Sequence, residues 1–107
     1  MGSVAAEPVI KKGNREGREP QFHVVLLDDN DHTYEYVMEM LQKLFAVSQG
    51  DAWRHAVEVD TTGRTIVITC DLPLAEFGRD QIQAYGADPR MPRSRGSMSA
   101  IIEPAAV

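Results

Sequence analysis

The chain has 107 residues, with 16 acidic against 11 basic, a net charge of −5 and a single cysteine, Cys70. That length allows one domain with a modest core, the acidity argues against a nucleic-acid binder, which needs a basic face, and one cysteine excludes an internal disulfide and suits a reducing cytoplasm. No apolar run approaches the ~20 residues of a membrane span, and the start Met-Gly-Ser-Val-Ala-Ala carries neither a signal-peptide apolar core nor the Ser or Thr of a myristoylation signal.

Residues 1–20 hold two prolines, three glycines and mixed charge, with Val4, Val9 and Ile10 as the sizeable apolar groups. Such a segment cannot repay its ordering entropy and reads as a disordered N-terminal arm. Residues 21–107 read as the domain. Residues 22–27 form the first strand, buried on both faces. It runs into the polar turn Asp28-Asp29-Asn30-Asp31-His32, where Asp31 or Thr33 is placed to cap a helix.

That helix spans about 33–46. Val37, Met40, Leu41, Leu44 and Phe45 follow the spacing of one buried face, with Tyr34 and Met38 beside it. Ser48 opens a second helix with Asp51 as its capping-box partner. Ala52, Ala56 and Val59 line one side of it, Trp53 and Val57 another, and Gly63 ends it. Arg64 to Cys70 are β-branched through the middle and favour a strand. Asp71-Leu72-Pro73 opens a third helix, with Leu74, Phe77, Ile82 and Tyr85 as its expected buried side and Gly86 as its end. A loop over 87–97 carries Arg90, Arg93 and Arg95, and Met98 to Ile102 form the last strand. The order β-α-α-β-α-β gives an α+β two-layer sandwich: a three-stranded antiparallel sheet with helices on one face.

Catalytic patterns are missing from the sequence. Ser48, Ser94, Ser97 and Ser99 have no nucleophile-elbow setting, Cys70 sits inside a strand as a structural thiol, and there is no phosphate loop. A non-enzymatic protein without a cofactor is expected. Asp28, Asn30, His32 and Glu39 fall in a calcium-loop frame, but Thr33 stands where that loop needs glycine. A looser carboxylate site for magnesium or calcium stays open as an alternative. His23, His32 and His55 have no zinc spacing.

A third possibility is capture of a free N-terminal ammonium, whose receptor is a few carboxylates at the rim of an apolar hole. Asp28, Asp29 and Asp60 supply such a rim, and Val37, Ala56 and Val59 such a hole. A solvated, helix-capping acidic turn explains the same residues.

Val24-Val25-Leu26-Leu27-Asp28-Asp29, Tyr36-Val37, Leu41-Gln42-Lys43-Leu44-Phe45, then Ala52, Val59, Gly63, Ala75-Glu76 and Ile101-Ile102-Glu103-Pro104, resemble in order and spacing the Clp protease adaptor ClpS, over about residues 22–104. The resemblance implies a non-enzymatic adaptor. It would bind proteins through a large apolar first residue with a free α-amino group, an N-degron, and deliver them to a Clp-type AAA+ unfoldase for degradation. It would work as a cytoplasmic monomer, without nucleic acid, membrane, metal or other cofactor.

Carried over by position, the family's α-amino ligands fall on Asp28, Asp29 and Asp60, and its side-chain pocket on Tyr34, Val37, Ala56, Val59 and Met98. The unfoldase contact at the start of the third helix falls on Glu76 and on Gly78, where the family has lysine, with Arg79 next to it. The family's asparagine and histidine at the rim are both aspartate here. Binding is therefore expected to weaken as pH falls towards ~5, where carboxylates take up protons. Tyr34 replaces a methionine at the pocket mouth, and Ala56 a larger residue deeper in, so the preferred first residue is expected to differ. The arginine loop reads as a solvated turn or as a contact to an acidic partner surface. A ClpS-like interaction module that has lost N-terminal recognition is the rival within the family.

Overall fold

The computed structural model describes residues 20–106. The arm expected over 1–20 lies, Pro20 apart, outside the described residues. The elements follow in the order β1 (Phe22–Leu27), α1 (Tyr34–Phe45), α2 (Gln49–Thr62), β2 (Arg64–Cys70), α3 (Leu72–Gln83) and β3 (Ser99–Pro104). The sheet order is β2-β1-β3 with both pairings antiparallel. Among the described residues no helix is long and apolar enough to cross a membrane.

The central strand explains its own composition. Val24 and Leu26 belong to the core beneath the helices, with Tyr36, Val37, Met40, Leu41, Ala56, Val59, Ala75, Ile82 and Met98. Val25 points to the opposite face and is also fully buried, because Ile66 and Ile101 stand directly across from it on the two neighbouring strands. Val24 pairs with Ile68 and Val25 with Ile66, so Val67 is an extra residue, a bulge in β2.

The caps are those their residue types favour. The Thr33 hydroxyl accepts from the Tyr36 amide, Ser48 from Asp51 and Asp71 from Leu74. Thr33, not Asp31, is therefore the cap of α1. Gly63 ends α2 at φ 89°, a left-handed conformation that glycine adopts at no steric cost.

The third helix departs from expectation. Leu74 and Phe77 are 57% and 60% exposed, and the buried face of α3 is Ala75, Gly78 and Ile82. The helix lies close over β1 and the end of α1, and a Cβ on Gly78 would meet the Phe45 ring at 3.1 Å. Small residues face inward at Ala75 and Gly78 for that reason, Leu74 and Phe77 face out, and of the large residues expected inside Ile82 is fully buried. The helix is capped at Ala84, two residues before Gly86. The last strand begins at Ser99 and runs on to Pro104.

Candidate functional site

The polar turn after β1 is built from its own side chains. Asp28 Oδ1 accepts from the Asn30 amide at 3.3 Å, and Asp29 Oδ1 from the Asp31 amide at 3.0 Å. Asn30 takes a positive φ of 64°, which asparagine tolerates better than most residues. The Asp28 amide donates to the Gly63 carbonyl at 3.0 Å. That bond ties the end of β1 to the end of α2, the helix that carries Asp60.

Tyr34, the first residue of α1, closes this corner. Its hydroxyl donates to Asp60 Oδ2 at 2.5 Å. The hydrogen bond to Asp60 raises the phenol's pKa; loss of solvation and the charges of Asp60 and Asp28 act in the same direction. The ring meets Trp53 of α2 edge-on, with centroids 5.3 Å apart, and packs against the core. Val37, Ala56, Val59 and Met98, members of the core cluster against which it packs, are all buried. Asp60 thus holds this hydroxyl directly and Asp28 acts on it through its charge, beside the apolar core.

Asp29 is engaged elsewhere. Its Oδ1 also lies 2.8 Å from Nδ1 of His32, whose Nε2 is 2.8 Å from the Gly96 carbonyl oxygen. The same Nε2 lies 3.3 Å from Ser94 Oγ. The Tyr36 ring packs on His32 at 4.5 Å.

The family model of the ATP-dependent Clp protease adaptor protein ClpS matches residues 17–92. This chain belongs to the ClpS family. An ATP-dependent Clp protease adapter protein ClpS from Synechococcus sp. is 34% identical over 70 residues, 64% of this chain and 77% of that protein. Its counterpart from Synechococcus elongatus is 35% identical over 68 residues, 63% of this chain and 72% of that protein. The structure of Agrobacterium tumefaciens ClpS2 bound to L-phenylalaninamide superposes with a TM-score of 0.70 at 23% identity, over 82% of this chain and all of that one. At that identity the likeness establishes the fold, the three-stranded open sheet with three helices.

The 87–97 loop of this ClpS chain spends most of its charge internally. Asp88 is 1% exposed and accepts from the Thr33 amide and hydroxyl and from the Arg90 amide and guanidinium. Burial pushes the Asp88 carboxyl up, and these four donors more than offset it, so its pKa falls below the ordinary value. Arg90 also pairs with Glu39 of α1 at 2.6 Å. Arg93 pairs with Asp31 and donates to the Asn30 carbonyl. Tyr36 donates its hydroxyl to the Gly86 carbonyl at 2.5 Å. The loop is therefore a brace on the acidic turn, and neither arginine is a solvated bystander; Arg95 alone of the three is exposed without a partner among the described residues.

Sequence reasoning missed His32 and Asp88 as partners of this turn. Both sit in polar stretches that carry no periodic signal. The available hint was the aspartate followed directly by Pro89, a turn-forming pair, which says nothing about a partner 55 residues away.

On α3, Glu76 and the apolar Leu74 and Phe77 are exposed together. Arg79 is half-buried and its Nε donates to Asp80 at 3.0 Å. Gly78, at the position where the family has lysine, is buried against Phe45 and Ile68. An open groove beside this surface is lined by Leu44, Phe77, Asp80, Gln81, Ala84 and Tyr85. Among the described residues no three carboxylate, imidazole or thiol groups gather to hold a metal ion.

Proposed function

We propose that this ClpS-family chain is an adaptor that captures N-degron substrate proteins by a free α-amino group and a large apolar first side chain. It passes them to a Clp-type AAA+ unfoldase. Residues 21–107 are the adaptor domain, acting as a cytoplasmic monomer that catalyses no reaction itself. The observation that carries this reading is that Asp60 accepts from a hydroxyl donor in a corner that also feels the charge of Asp28, beside a core that holds the buried Val37, Ala56, Val59 and Met98. An ammonium group offers three donors in place of that one hydroxyl, and each charge-assisted bond contributes about 1.5–3 kcal/mol. Asp29 is the third ligand, reached by exchanging His32 for the ammonium. The ligand in the Agrobacterium ClpS2 structure, L-phenylalaninamide, carries both an α-amino group and an aromatic side chain, which is the chemistry such a rim and floor accept.

Delivery falls to the outer face of α3, with Glu76 and Arg79 as polar contacts and Leu74 and Phe77 as apolar ones. The test is a titration of fluorescent peptides that differ only in their first residue, each beside its N-acetylated form. Binding of the free but not the acetylated peptides supports the reading, and equal binding of both sinks it.

The engagement of Asp60 by Tyr34 and of Asp29 by His32 favours a second reading, an interaction module that no longer takes N-termini. It predicts no binding of either peptide form and retained binding to the unfoldase.

A further inference from the structure

We infer that Tyr34 is a built-in occupant of the N-terminus site, which a substrate must displace, and that its hydroxyl sets the affinity of the site. The inference rests on the reading of Asp28 and Asp60 as α-amino ligands and adds what stands in their way. Three observations carry it.

The Tyr34 hydroxyl donates to Asp60 Oδ2 at 2.5 Å, so the donor position that an ammonium needs on Asp60 is already filled. Its ring lies between the start of α1 and Trp53 of α2 and packs against the core cluster. The apolar residues below are closed off, with Val37, Ala56, Val59 and Met98 between 1% and 3% exposed. Tyr34 thus offers Asp60 a donor and the apolar floor an aromatic ring, the same two features that a free N-terminal aromatic residue offers. The two cannot hold Asp60 in the same way at once.

The geometry also says how Tyr34 leaves. It is the first residue of α1, outside the run of helical amide donors, and it is only half-buried. A side-chain rotation frees it without unwinding the helix. A ligand gains the site only if it replaces both the hydroxyl bond and the ring contact. A bare amine or a small first residue supplies one of the two, so the stopper discriminates in favour of large aromatic first residues.

The experiment compares wild type with Tyr34→Phe, Tyr34→Ala and Asp60→Asn. Each is titrated with a fluorescein-labelled peptide beginning with phenylalanine and with its acetylated form. Removing the hydroxyl bond leaves the ring in place, and the free peptide is expected to bind Tyr34→Phe roughly three- to tenfold more tightly than wild type, the fold-change of about one net hydrogen bond. Asp60→Asn is expected to bind more weakly than wild type. Trp53 is the only tryptophan in the chain, so its emission reports the departure of Tyr34. An unlabelled peptide beginning with phenylalanine is expected to change that emission in wild type and to leave it nearly unchanged in Tyr34→Ala.

If wild type binds only the free peptide and Tyr34→Phe binds it equally or more weakly, the stopper is overturned while the N-terminus reading stands. If wild type fails to bind and Tyr34→Phe or Tyr34→Ala binds the free form alone, both stand. If no variant prefers the free peptide, both fall together.

Discussion

Asp88 lies 55 residues from Thr33 in sequence, yet its Oδ2 stands 2.7 Å from the Thr33 amide nitrogen and 2.8 Å from Thr33 Oγ1. Thr33 is the cap of α1 and the last residue before Tyr34. One buried carboxylate therefore joins the 87–97 loop to the point where the acidic turn becomes helix. That point lies directly between the acidic turn and Tyr34.

Replacing Asp88 by asparagine leaves a buried acceptor set with fewer oxygens than donors. Unfolding in urea at pH 7 is expected to show a loss of about 1–3 kcal/mol. The folded carboxyl has a depressed pKa, so its contribution is fully present above the unfolded value of about 3.9 and is lost as pH falls through the folded value. The gap between wild type and Asp88→Asn should therefore close when the measurement is repeated well below pH 4. A gap that persists there would mean the effect is steric and not ionic.

His55 sets a second pH dependence, at milder acidity. The ring is 7% exposed, and its Nδ1 lies 2.8 Å from Thr65 Oγ1, whose hydroxyl donates to Glu58. Burial, then the neighbouring Arg54, pulls its pKa down, with Glu58 and Asp51 opposing. The neutral ring is the form the fold accepts. Stability is present above the unfolded value of about 6.5 and is lost as pH falls through the folded value. The thermal midpoint of wild type is expected to drop between pH 7 and pH 5, and that of His55→Asn, which keeps a donor for Thr65, to drop less. Equal slopes would remove His55 from the account.

Gly78 makes a steric prediction. Its Cβ would meet Phe45 Cε1 at 3.1 Å and Ile68 Cδ1 at 3.4 Å. Gly78→Leu is expected to destabilise by about 1–3 kcal/mol, the usual cost of overfilling a packed interior, and to lower the thermal midpoint accordingly. An unchanged midpoint would show that α3 can lift away from Phe45, contrary to the packing described above.

Periodicity and capping chemistry made most of the fold legible. Val37, Met40 and Leu41 recur at helical spacing and are buried, Ser48 and Gly63 bracket α2, and the β-branched run 64–70 is a strand. The same logic failed on α3, because Leu74 and Phe77 are hydrophobic without being core. Sequence records that a residue is apolar, but not how closely a helix approaches a sheet, and here the first half of α3 comes close enough to admit only Ala75 and Gly78, with Ile82 buried further along. At the candidate site the residue types were readable and the partnerships were not. That Asp60 takes the Tyr34 hydroxyl, 26 residues away, and that Asp29 takes His32, depend on the angle between α1 and α2 and on a loop without periodic signal. Those pairings decide whether the acids are free or already engaged.

The exposed side of α3 offers a test that separates the two halves of the proposed adaptor work. Leu74 and Phe77 lie one turn apart on the outer face, more than half exposed, so replacing both by aspartate removes little packing. Surface changes of this kind stay within about 0.5 kcal/mol each, and the thermal midpoint of the double variant Leu74→Asp/Phe77→Asp is expected to stay close to that of wild type. The proposed N-terminus site lies between α1 and α2, and peptide affinity should be unchanged as well. What the variant is expected to lose is binding to a Clp-type AAA+ unfoldase, measured by interferometry on the immobilised unfoldase. Among the described residues these two apolar groups stay exposed beside Glu76, and two added carboxylates both remove their contact area and place new charge against a partner that covers them. Unfoldase binding that survives the double change would move the delivery surface off α3. A simultaneous loss of peptide affinity would show instead that α3 and the N-terminus site are not independent.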